Sequence, residues 1–89
     1  MRFTDHAIGR MSLYSISSED IARALQNPKR KFFDVATARY IAVGAKNGHS
    51  LVVVYEKSGS EILVVTTYHT SKIDKIVETK LSSGRWVEL

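Results

Sequence analysis

The 89-residue chain contains no cysteine. That absence removes disulfide frameworks, thiolate metal sites and cysteine nucleophiles together. It also fits a reducing compartment, and the chain is expected in the cytoplasm. Long apolar runs are missing too: the longest, 51–54 and 62–65, are far too short to cross a bilayer, so no membrane partner is expected. Met1-Arg2-Phe3-Thr4-Asp5-His6 turns polar at once and offers no signal-peptide core. The three histidines, His6, His49 and His69, are scattered, with no H-x-x-x-H spacing and no carboxylate cluster. Neither a metal nor another cofactor is therefore expected.

The composition that remains describes one folded domain. Hydrophobic residues make up 44% and charged residues 25%, enough for one modest core at this length. The net charge of +4, with a pI near 9.6, favours a polyanionic partner. RNA is the partner that this balance brings forward.

Start and stop signals divide the chain into elements. Thr4 is an N-cap for a short helix through about Met11, with Ala7, Ile8 and Met11 as its apolar stripe. His6 and Arg10 lie four apart and share another face of it. Ser17 and Asp20 mark a second helix start, and Asn27-Pro28 ends that helix because the residue before proline leaves α geometry. Pro28-Lys29-Arg30-Lys31 reads as a cationic linker.

The apolar period then changes from helical to alternating. Residues 31–35 read as a weak strand, and 39–44, 49–55 and 61–68 as clear ones, joined by turns at Asn47-Gly48 and Ser58-Gly59. Residues 51–54 and 62–65 are apolar at every position, so both faces of these strands want cover. Helices can cover one face; the other must meet the C-terminal segment, a second copy or a partner. Ser71 and Asp74 mark a last helix to about Leu81, striped by Ile73, Ile76, Val77 and Leu81. Trp86 anchors the tail. The expected fold is α+β: two helices, a three- or four-stranded antiparallel meander, and a final helix, all in one domain over 1–89.

His6-Ala7-x-x-Arg10-Met11, then Ile16-Ser17-x-Glu19-Asp20 and Ala24-Leu25-x-Asn27-Pro28, resembles the opening of a widespread prokaryotic domain family of unknown function. The second half, through Arg39-Tyr40, 48–55 and 62–68, is also similar to BrnT-type toxins. Both groups are placed in the RelE-like superfamily, which includes metal-independent ribonucleases. The resemblance covers nearly the whole chain and implies a toxin-antitoxin endoribonuclease, or a non-catalytic module of the same fold that binds RNA or an antitoxin. Two arginines of those patterns are missing here. Tyr14-Ser15-Ile16 stands where the first group has an R-G-I turn, and Thr66-Thr67-Tyr68-His69 where BrnT-type toxins carry a late-strand arginine.

Metal-free RNA cleavage needs a base for the 2′-hydroxyl, an acid for the leaving oxygen and cations for the phosphorane. His6 is the first acid/base candidate, with Tyr68 or His69 sharing that work. The alternative for His6 is a ring packed on the sheet or a cap on the helix start. Arg10 would hold phosphate or keep His6 in register, or form a salt bridge with Asp5 or Glu19. Arg39 could clamp phosphate bidentately or form a cross-strand pair with Glu56 or Glu61. Thr66 alternates with Tyr68 on one strand face and could join the phosphate site, or serve simply as a β-branched strand residue. Lys29, Arg30 and Lys31 could track an RNA backbone, or be a solvated linker. His49 reads as a loop residue. A homodimer through the apolar sheet face is a further partner this pattern allows.

Overall fold

The computed structural model describes residues 1–89 as three helices around a six-stranded sheet. Strand β1 (Arg2–Phe3) leads into α1 (Asp5–Tyr14) and α2 (Ser18–Gln26). Strands β2 (Arg30–Asp34), β3 (Arg39–Lys46), β4 (His49–Ser58) and β5 (Glu61–Thr70) form the meander. Helix α3 (Ile73–Ser82) and strand β6 (Trp86–Glu88) complete the chain. The sheet order is β1-β5-β4-β3-β2-β6, with β1 parallel to β5 and every other pair antiparallel.

The fold is α+β, as expected, with six strands instead of three or four. The two extra strands, β1 and β6, have two and three residues, too few to display a hydrophobic period. Their place is set by tertiary pairing, β1 on Leu63 and Val64 and β6 on 32–34.

Local chemistry fixes the helices. The Thr4 hydroxyl accepts the Ala7 N–H, and α1 runs past Met11 to Tyr14, where Ser15 turns left-handed at φ 55°. Ser17 and Asp20 form a reciprocal capping box on α2. At the last helix the expected cap does not form. Lys72 occupies the N-cap position without a side-chain bond, and Thr70 Oγ1, not Ser71, accepts the Lys72 N–H at 3.0 Å. The cationic stretch is only partly a linker, because Arg30 and Lys31 already belong to β2.

Asn47 and Gly48 both have positive φ, 50° and 79°, and join Lys46 to its partner His49 in a two-residue hairpin.

The central strands are buried on both faces within the chain. Helices α1 and α2 cover a core of Ala7, Ile16, Ile21, Ala24, Ala42, Leu51, Val53, Tyr55 and Val64. Helix α3, through Val77, and Trp86 cover Phe32, Ile41, Val43 and Val52 on the other face. No second copy is needed to bury these strands. No helix is long and apolar enough to cross a membrane.

Candidate functional site along the open edge of the sheet

Strand β1 pairs with β5 only at Leu63 and Val64. From Thr66 onward, therefore, this edge of β5 has no strand beside it. Thr4 ties α1 to the place where β1 stops, through its N–H to Val64 O (3.0 Å) and its hydroxyl to Val65 O (2.8 Å). Helix α1 then runs the same way as β5: His6 meets Thr66, and Tyr14 meets His69 edge-on at 5.9 Å.

Residues 6, 10 and 14 rise about 6 Å apiece on the helix, so one row of α1 reaches this edge first at Thr66 and again at His69. A β-bulge assists: Val54 pairs with Thr66 but Tyr55 pairs with Val64, leaving Val65 unpaired. Bulges re-aim neighbouring side chains, and Thr66 reaches His6 here.

His6 Nε2 lies 3.0 Å from Thr66 Oγ1 and 3.5 Å from Arg10 Nε. Arginine can only donate, so Nε2 accepts there and the His6 proton sits on Nδ1; the Thr66 hydroxyl then donates as well. His6 is exposed, while Arg10 and Thr66 are half-buried. Arg10 forms no ion pair with Asp5 or Glu19, and its guanidinium remains available at the furrow.

Tyr68 pairs across from Val52, on the α3 side of the sheet, and packs against that core with Ile73 and Ile76. Thr66, opposite Val54, shares this face by register. Burial first, then the Tyr14 phenol, push the Tyr68 hydroxyl above its ordinary value of 10.0, so it stays protonated at neutral pH. No hydrogen bond joins Tyr68 to His6 or Arg10.

His69 lies on the opposite face, across from Leu51, as strict alternation requires. Its neighbours are Tyr14 and His49, whose ring stacks at 6.2 Å with a 19° interplanar angle. His49 is thus the first residue of β4 rather than a loop residue. His69 Nε2 is buried without a hydrogen-bond partner. Burial, then the charges of Lys46 and His49, lower the His69 pKa below 6.5, against a smaller opposing pull from Asp20. The furrow thus brings together His6, Arg10 and Thr66, while His69 belongs to a neighbouring imidazole pair.

The other cations are elsewhere. Arg39 Nε bonds Glu56 Oε2 at 3.1 Å, the cross-strand pair that the sequence offered as its alternative. Arg30 grips Glu88 with two bonds of 2.8 and 2.7 Å and lies over the Phe32 ring. Lys31 is half-buried in β2, and Lys29 is exposed at the α2–β2 connection. These three residues therefore do not form one continuous track.

Helix, bulged edge strand and polar furrow define a small α+β domain whose polar groups converge beside a sheet edge. The chain belongs to the family described as Domain of unknown function (DUF4258), whose model matches residues 3–69. No curated protein and no solved structure matches the chain.

Proposed function

We propose that the chain is a metal-independent endoribonuclease of the toxin-antitoxin kind, RelE-like and BrnT-like in character, with the α1–β5 furrow as its active site. The observation that carries this reading is the single nitrogen His6 Nε2, 3.0 Å from Thr66 Oγ1 and 3.5 Å from Arg10 Nε. The positive net charge and the order of sequence motifs support it.

The chemistry asks little of the protein covalently. His6 Nε2, whose lone pair accepts from Thr66 and Arg10 until RNA enters the furrow, turns it to a 2′-hydroxyl and takes that proton. The 2′-oxygen attacks phosphorus, the bond to the 5′-oxygen breaks, and a 2′,3′-cyclic phosphate remains. Arg10 neutralises charge on the phosphorane, and Thr66 holds the imidazole in register. Tyr68, kept protonated by burial, supplies the proton for the leaving 5′-oxygen once RNA fills the furrow. Incubating purified protein with single-stranded RNA in the presence of EDTA tests the proposal. Cyclic-phosphate ends, absent with a 2′-deoxy substrate, are the expected result; intact RNA would sink it.

One observation favours the second reading, a non-catalytic module that binds RNA or an antitoxin-like protein. Arg39 is engaged by Glu56, which leaves Arg10 as the guanidinium of the furrow. A single guanidinium can hold a phosphate in its ground state more readily than it can offset a developing extra charge. RNA that binds without being cut would favour this module.

A further inference from the structure

The remaining cations are distributed unevenly. Five of the thirteen lysines and arginines are held by carboxylates: Arg23, Arg30, Arg39, Lys46 and Arg85. Of the eight left over, Lys72 is the N-cap of α3 and Lys75 follows it three residues on, while Lys80 lies over the Trp86 ring beside the apolar stripe. Asp74 acts on Arg30. Ile73, Ile76 and Val77 turn to the core.

Two open grooves meet at the start of α3. One, of about 420 Å3, is lined by His49, His69, Thr70, Ser71 and Lys72. The other, of about 400 Å3, is lined by Thr70, Lys72, Lys75, Ile76, Thr79 and Lys80. They share Thr70 and Lys72, and no carboxylate lines either. The joined groove ends beside Tyr14, since Tyr14 meets His69 at 5.9 Å, and Tyr14 stands one helical turn beyond Arg10.

We propose that this joined groove, from the lysines that line it at α3 past the His49–His69 pair, holds the backbone of single-stranded RNA and leads it into the α1–β5 furrow. Charge and lining together select this occupant. No carboxylate opposes a polyanion along either groove. A polyanion needs cations and hydroxyl donors, which Lys72, Lys75, Thr70, Ser71 and Thr79 provide. The paired imidazoles add flat faces on which a base can stack. Lys72 to Lys80 spans about 12 Å of helix, enough for more than one phosphate contact. The surface lies largely beyond the residues matched by the family, 3–69.

This proposal extends the nuclease reading, but its test is binding. The probe is a fluorescein-labelled, fully 2′-O-methylated single-stranded oligonucleotide, which cannot be cut. Its anisotropy is followed with the full chain across a potassium chloride series. Lys72→Ala with Lys75→Ala, both exposed and outside any ion pair, should weaken binding roughly tenfold and reduce the salt slope by about 1.4, about 0.7 per lost phosphate contact. Arg2→Ala with Lys57→Ala removes equal charge at the far end of the sheet and should leave the slope unchanged. Equal losses in the two double variants would overturn the proposal, reducing it to net charge. So would wild-type protein that ignores the oligonucleotide yet captures polyglutamate through the same lysines. Intact binding through α3 in a chain that cuts no RNA would sink the nuclease reading and leave this one standing.

Discussion

Lys46 Nζ lies 2.7 Å from Asp20 Oδ2, joining the end of β3 to the first turn of α2. The same carboxylate oxygen accepts the Ser17 N–H at 2.9 Å, and Lys46 also donates to Ser15 O. One contact therefore fixes the α1–α2 connection, the α2 cap and the hairpin between β3 and β4. Asp20 is only 7% exposed and Lys46 19%. Asp20→Ala should cost about 2–4 kcal/mol in urea unfolding, because it removes half of the capping box and strands a largely covered ammonium.

The same pair sets an acid limit. The bond from Lys46, then that from Ser17, hold the Asp20 carboxyl at about 2 instead of 3.8. A folded value below the unfolded one contributes stability above the unfolded pKa and loses it as pH falls through the folded pKa. The loss should fall between about pH 4 and 2. Asp20→Asn should be less stable at neutral pH and flatter across that window; parallel curves for variant and wild type would refute the assignment.

Gly44 predicts a different sensitivity. A Cβ at this strand position would lie 2.9 Å from Ala24 Cβ and 3.2 Å from Ala24 Cα, against helix α2 rather than a flexible chain end. Gly44→Ala should lower stability by about 1–3 kcal/mol, seen as a reduced melting temperature. Pairing it with Ala24→Gly should restore part of the loss, because the clash is between these two methyl positions.

Much of this was legible in the chain because it depends on neighbours a few residues apart. The capping box at Ser17 and Asp20, the Asn47-Gly48 hairpin and the doubly apolar strands need only local spacing, and each is present. The closeness of His6 and Arg10 is helical arithmetic. What was not legible depends on register. Nothing local says that β1 pairs beside β5, that Thr66 follows a bulge, or that residues 49 and 69 stack. Arg39 had an acidic cross-strand partner in reach, and that pairing won. Ser71 had the spacing of a cap, yet the chain bends one residue later and Lys72 takes the position.

The furrow makes separable demands on its side chains. If His6 is the base, His6→Ala should reduce the rate of RNA cleavage by about 10²–10⁴-fold with little effect on binding of a 2′-O-methylated oligonucleotide. Tyr68→Phe tests the acid. The variant keeps the ring that packs with Ile73 and Ile76 but lacks the proton. Since the phenol titrates above 10.0 in the folded chain, wild-type cleavage should show no loss from Tyr68 ionisation below that pH. Full activity in Tyr68→Phe would remove this residue from the mechanism.

His69 should impose an earlier acid limit than Asp20. Its buried Nε2 has no partner to welcome a proton. Burial acts first, and the nearby charges of Lys46 and His49 add to it, so the imidazole is easier to protonate in the unfolded chain. Asp20 opposes this, and the Tyr14 ring contributes packing across the edge. For a histidine with a folded pKa below 6.5, stability is complete above that value and declines as pH falls beneath it. Two losses should therefore be resolved in unfolding free energy against pH, one beginning below about 6.5 and another between about 4 and 2. His69→Phe keeps an aromatic face for Tyr14 but cannot take a proton, so it should erase the first loss and leave the second. If the variant still declines just below pH 6.5 as steeply as wild type, the titrating group is not His69. The exposed His49 would then be the imidazole to replace next.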